Sequence, residues 1–158
     1  ETLHEEHRAT VALMERLEQF LARHRRGAAP DAGDAAARQL LTDLTAGVEG
    51  EIQRHFGFEE EHLFPHLDAV GDSAIGAHLT EEHGAIRPIG AEIARLARAA
   101  LAGGFDDVSW AEFRRLGQEL TERLLSHVQK EEMALLPLLD DLLDDDADRE
   151  LSFACAAP

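Results

Sequence analysis

The chain has 158 residues, 44% of them apolar and 30% charged, which is enough to bury one core beneath a solvated surface. Fifteen basic against 32 acidic residues leave a formal charge of −17, which argues against nucleic acid or an anionic membrane as partner, since both would be repelled. A lone cysteine, Cys155, excludes an internal disulfide, an iron–sulfur cluster and a cysteine-rich zinc site, and fits a reducing cytoplasm.

Four segments carry helical periodicity and none shows strand alternation. The first, about residues 1–26, sets Leu3, His7, Val11, Met14, Leu17 and Leu21 on one stripe. GAAPDAGD then interrupts it with two glycines and a proline. The second, about 35–69, repeats Leu41, Leu44, Val48, Ile52, His55, Glu59 and Leu63 at steps of three and four. VGDSAIG supplies a turn, and the third segment, about 74–101, carries Leu79, His83, Ile86, Ile93 and Leu96. GGFDDVS follows, with Ser109 or Asp107 expected to cap the next helix. The fourth, about 109–144, carries Phe113, Leu116, Leu120, Leu124, His127, Glu131, Leu135 and Leu138.

Pro65 and Pro137 stand near the ends of the second and fourth segments and predict a kink or a stop in each. The closing DDLLDDDADRE is expected to fray, because carboxylates oppose the negative end of the helix dipole. No apolar run reaches the ~18–20 residues that span a bilayer, and no stretch reads as a secretion signal. Long helices with short connections predict an all-α, up-down-up-down antiparallel four-helix bundle over residues 1–146, with a tail at 147–158.

The pattern is also duplicated. HFGFEEEHLFPHLD at 55–68 aligns without a gap on HVQKEEMALLPLLD at 127–140, a shift of 72 residues. LHEEHRA at 3–9 aligns on LTEEHGA at 79–85, a shift of 76. The bundle is therefore expected to consist of two helical hairpins of one design, packed about a pseudo-twofold axis.

Six polar residues occupy places on these stripes where a core residue belongs: His7, His55, Glu59, His83, His127 and Glu131. A buried carboxylate without compensation costs several kcal/mol. Residues four apart on a helix differ by about 40° in direction and about 6 Å in height, so each His-x-x-x-Glu pair can reach one interior point. Two such pairs plus two facing histidines give four imidazoles and two carboxylates, a set that suits two divalent metals, each on two imidazoles with the carboxylates bridging. Imidazole with carboxylate suits iron or manganese, and zinc stays open. The bland alternative makes each histidine a hydrogen-bonded core residue, but six such residues in a duplicated pattern weigh against coincidence.

From HEEHR through HFGFEEEHLFP and TEEHGAI to HVQKEEMALLP, the chain resembles the hemerythrin-like, or HHE cation-binding, domain family. The resemblance implies a non-haem centre of two iron ions, oxo- or hydroxo-bridged, with manganese or zinc ranked behind iron. It also implies that His7 and His55 hold one iron, His83 and His127 the other, and that Glu59 and Glu131 bridge. The sequence departs from the oxygen carriers of that family, which have two histidines four apart on the third helix: here Leu79 and Arg87 flank His83 at that spacing, and His78 is five residues before it. The carriers' last bridging acid is an Asp five residues after its His, whereas Glu131 stands four after His127 and Glu132 occupies the other offset.

Lesser candidates are Glu51, one turn before His55 and able to pair with Arg123; Glu6 and Glu82, read as flanking or supporting residues; and His4, read as a supporting group. His62, His66 and His24 are read as surface groups, while Phe56, Phe58 and Phe64 are expected to pack around the site. Glu60 and Glu132 point off the ligand stripe. The function expected is binding, sensing or reaction with a small diatomic or peroxide ligand: dioxygen, peroxide or nitric oxide. The alternative is an iron- or oxygen-responsive regulatory or iron-donor module without turnover, and behind it a metal-free helical interaction module.

Overall fold

The computed structural model describes residues 2–24, 27–69 and 73–138. Helix α1 spans Thr2–Arg23. Helix α2 is compound: α-helical over Ala35–Ala46, widened into a π-helical stretch at Gly47–Ile52, α-helical again over Gln53–Phe58, π-helical at Glu59–Leu63, and α-helical over Phe64–Ala69. Helix α3 runs unbroken over Ser73–Gly103. Helix α4 covers Asp107–Lys130 and passes into a π-helical turn at Glu131–Leu135. No strand occurs among the described residues, and each helix packs on two neighbours, α1 on α2 and α4, α3 on α2 and α4. The expected four-helix bundle is what forms.

Local chemistry fixes the helix ends. Asp34 caps α2 by accepting the Ala36 N–H. Gly104, at a φ of 78°, ends α3 in the left-handed region that a side chain disfavours, and its N–H bonds the Ala100 carbonyl at 2.7 Å. The cap of α4 is Asp106, neither Asp107 nor Ser109. Asp106 is extended and its carboxylate accepts the Ser109 N–H at 2.7 Å, while the Ser109 hydroxyl accepts the Asp106 N–H at 3.0 Å. That reciprocal box satisfies two donors at once and so starts the helix earlier than a single cap at Ser109 would.

Neither proline stops its helix. Phe64, just before Pro65, donates its N–H to Glu59 five residues back, and Leu136, just before Pro137, donates to Glu131 in the same way. A proline ring crowds the carbonyl one turn earlier. A turn widened by one residue gives that ring room, and the chain stays helical through Pro65 to Ala69 and through Pro137 to residue 138. The two widened turns obey the duplication, since Glu59–Leu63 falls on Glu131–Leu135 at the same shift of 72.

Packing divides the interior into layers. One large apolar cluster joins Met14, Leu17, Leu44, Ile93, Phe113, Leu120 and their neighbours. A smaller one joins Phe58, Leu63, Phe64, Leu67, Leu79 and Leu135. The stripes match expectation, except that Leu3, Val11 and Leu138 are only partly buried and that Leu13 and Phe20 join the buried face of α1. Where α1 and α2 press together, a Cβ on Gly47 would meet the tip of Leu13 at 2.6 Å, so any larger residue there would require the Leu13 side chain to move. Among the described residues no helix is long and apolar enough to cross a membrane. The expected acidic run after residue 138, the tail at 147–158 with Cys155, and the side chain of Glu51 lie outside the described residues.

Candidate metal centre

Among the described residues the buried polar and charged side chains are His7, His55, Glu59, His83, His127, Glu131 and Thr121. Six of these seven are the residues singled out on the stripes, and they form one layer between the two apolar clusters. Helix α1 contributes His7, α2 contributes His55 and Glu59, α3 contributes His83, and α4 contributes His127 and Glu131. In both α2 and α4 the glutamate opens the π-helical turn, one turn after its histidine.

The donor atoms converge in two groups that share one residue. Ligand atoms of His7, His55 and Glu131 lie within 4.8 Å of one another, and so do those of Glu59, His83, His127 and Glu131. Glu131 Oε2 stands 2.6 Å from His7 Nε2 and 3.5 Å from His55 Nε2. Its other oxygen, Oε1, stands 2.6 Å from His127 Nε2 and 3.9 Å from His83 Nε2. Glu59 Oε1 lies 3.3 Å from both His55 Nε2 and His83 Nε2, so this carboxylate also sits between the two histidine pairs.

Charge is strongly coupled across the layer. Burial drives the Glu131 pKa upward, but hydrogen bonds with His127, His55, His7 and His83 outweigh it and hold the carboxyl well below the usual range. Burial pushes His55 down, yet bonds to Glu131 and Glu6 and the charges of both raise it to about 9. His127 is raised as well: burial opposes this, and Glu131 and Glu82 prevail. His83 goes the other way, because burial and the charge of His127 outweigh Glu131. His83 Nε2 is 3.1 Å from His127 Nε2, so one ring must donate to the other when no cation lies between them.

A metal fits this donor set. His55 Nε2 and Glu131 Oε1 are fully buried, and their near polar neighbours are other residues of the cage, so a cation among them would meet donors already aimed inward. Donors bonded to one first-row metal at about 2.1 Å stand roughly 3 Å apart when at right angles, the spacing most of these atoms already have. Bound cations would also offset the cost of burying two carboxylates.

Outside this layer the structure adds four acids, of which the sequence marks Glu6 and Glu82 as flanking or supporting and sets Glu60 and Glu132 aside. His7 Nδ1 faces Glu132 at 2.7 Å, His55 Nδ1 faces Glu6 at 2.6 Å, and His127 Nδ1 faces Glu82 at 2.8 Å. Glu60 approaches His83 Nδ1 to 3.5 Å. Glu60 and Glu132 do point off the ligand stripe, but each reaches sideways to a histidine of the adjacent helix. The signal for them was the doubling of the acid in every motif, Glu5-Glu6, Glu59-Glu60, Glu81-Glu82 and Glu131-Glu132. His4 supports Glu132 at 2.9 Å, as expected of a group beside His7, and His78 reaches Glu82 at 3.4 Å rather than the centre. His62 and His66 are exposed, and Arg123 pairs with Glu119. Phe56 stacks on His83 with ring centroids 3.8 Å apart, and Phe64 lies beyond it at 5.8 Å.

A four-helix bundle whose central layer is an inward-facing His/Glu cage defines a metal-binding helical protein. The chain belongs to the hemerythrin HHE cation-binding domain family, whose model matches residues 1–139. No curated protein and no solved structure matches it significantly.

Proposed function

We propose that the chain is a non-haem di-iron protein that binds, senses or reacts with a small oxidant: dioxygen, peroxide or nitric oxide. The observation that carries the reading is Glu131, whose two carboxylate oxygens each face a different histidine pair at 2.6 Å or more. His7 and His55 would hold one iron, His83 and His127 the other, with Glu59 and Glu131 shared. Manganese and zinc are the alternatives this donor chemistry admits. When bound, two adjacent irons supply paired one-electron redox changes and open positions for a small ligand.

The residues of the chain do the rest. Phe56 and Phe64 wall off His83, and Leu63, Leu79 and Leu135 close one side of the layer, so bulk water is kept from the donors. The lone cysteine fits a reducing cytoplasm. To test the reading, protein loaded with ferrous iron under anaerobic conditions is exposed separately to dioxygen, hydrogen peroxide and nitric oxide. A change of visible absorbance with consumption of at least one of them is expected, and no response to any of the three contradicts it.

The second reading, an iron-responsive regulatory or iron-donor module, draws support from the fact that all four helices contribute to one buried polar layer. Loss of metal from such a layer weakens every helix contact at once. A large fall in melting temperature on iron removal, without turnover of any oxidant, favours that reading.

A further inference from the structure

The four acids around the cage follow a rule. Glu6 of α1 holds His55 of α2; Glu60 of α2 approaches His83 of α3; Glu82 of α3 holds His127 of α4; and Glu132 of α4 holds His7 of α1. Taken in chain order these contacts run once around the bundle and close on themselves. In every case the acid neighbours a cage residue of its own helix, Glu6 beside His7, Glu60 beside Glu59, Glu82 beside His83 and Glu132 beside Glu131. Each helix thus carries, directly beside an inward-facing cage residue, one acid that faces sideways.

We infer that Glu6, Glu82 and Glu132 are positioning residues for the metal centre, each fixing a histidine of the next helix so that Nδ1 bears the proton and Nε2 points inward, and that Glu60 is the weak link of the ring. The inference rests on the two-metal reading of the cage. An imidazole has two nitrogens that can bind metal, and a carboxylate on Nδ1 both selects the tautomer and stops the ring from turning.

The three positioning acids are themselves anchored. Arg54 donates to Glu6 at 2.9 Å, Lys130 pairs with Glu82, and His4 lies 2.9 Å from Glu132. At the fourth corner the anchor has the opposite effect. Arg87 takes Glu60 with two hydrogen bonds, and His83 Nδ1 is left buried without a hydrogen-bond partner, 3.5 Å from the nearer oxygen. His83 is instead held by the Phe56 ring stacked 3.8 Å from it at an angle of 7°. An aromatic wall replaces the hydrogen bond, so this histidine is oriented by packing.

The test uses iron-loaded chain and reads the rate at which a ferrous-iron chelator strips the metal, beside the melting temperature of each metal-free variant. Glu6→Ala, Glu82→Ala and Glu132→Ala are expected to speed iron loss by about 10–100-fold, if the usual loss of affinity on removing such a partner is carried by the dissociation rate. Glu→Gln at the same three places keeps an acceptor for the Nδ1 proton and is expected to recover most of that loss. Glu60→Ala is expected to change the rate least. Equal retention in wild type and the three alanine variants overturns the inference, and so does iron loss as fast in the glutamine as in the alanine variants. A Glu60→Ala effect as large as the others overturns the weak-link assignment. Wild-type chain that binds one metal rather than two would overturn the two-metal reading and leave the ring standing or falling on the variant rates.

Discussion

The two stretches of this interior are built on the same stripes of the same helices, yet they solve opposite problems. In the large apolar cluster, Phe113, Leu17, Leu44 and Leu120 are fully buried and pack against one another, and Trp110 stacks on Phe113 at 5.9 Å. A turn or two further along, the same faces carry His7, His55, His83 and His127, as deeply buried, around two glutamates. The apolar layer lowers free energy simply by leaving water. The polar layer must satisfy each buried charge with a partner, and its donors converge in two groups that could hold a metal ion. The apolar stretch therefore supplies most of the folding energy, and the polar stretch consumes part of it in holding a site ready.

Substitution in each layer separates these roles. Phe113→Ala removes a fully buried ring and should destabilise the fold by about 3–5 kcal/mol, read as a lower melting temperature in both metal-free and metal-loaded protein. The metal bound per folded chain should not change, and a loss of metal from the folded fraction would mean that the layers are less independent than described.

A smaller effect, pH dependence, should belong to the polar layer alone. His55 rises from an ordinary value of 6.5 to about 9 in the folded metal-free chain, so the folded state holds this proton more tightly than the unfolded one. Its contribution is complete below pH 6.5 and is lost as pH rises through about 9, which on this shift is on the order of 3 kcal/mol. His127, also raised, acts in the same direction, whereas His83, pushed down, titrates below this window. Metal-free protein should melt progressively lower from pH 6.5 to 9.5, with the same slope in Phe113→Ala. A flat profile in both would contradict the charge coupling assigned to His55 and Glu131.

Much of this contrast was legible in the sequence, because polar residues on an otherwise apolar stripe are a conflict that periodicity exposes. His7, His55, Glu59, His83, His127 and Glu131 could be placed in the core from spacing alone, and the duplication indicated that they face one another. The supporting acids were harder to see, for the opposite reason: Glu6 and Glu82 could be read only as flanking or supporting, and Glu60 and Glu132 only as pointing off the stripe. Glu6, Glu60, Glu82 and Glu132 lie on half-exposed positions where an acid raises no conflict, and their partners are on other helices. Adjacency to a ligand histidine hinted at Glu6 and Glu82, and the doubling of the acid in all four motifs at the other two. The widened turns were also hidden: Pro65 and Pro137 signalled a disturbance, but whether a helix bends, ends or gains a residue depends on the packing that holds its next turn. The cap of α4 went to Asp106 because its bonds with Ser109 form as a pair, which single-residue preferences do not register.

The central claim is that one carboxylate, Glu131, serves both histidine pairs. The direct test is metal content per folded chain in wild type and in Glu131→Gln, purified side by side. Wild type should carry two irons and the variant should lose both, since its side chain is common to the two groups of converging donors. A folded Glu131→Gln chain that still carries two irons would contradict the account.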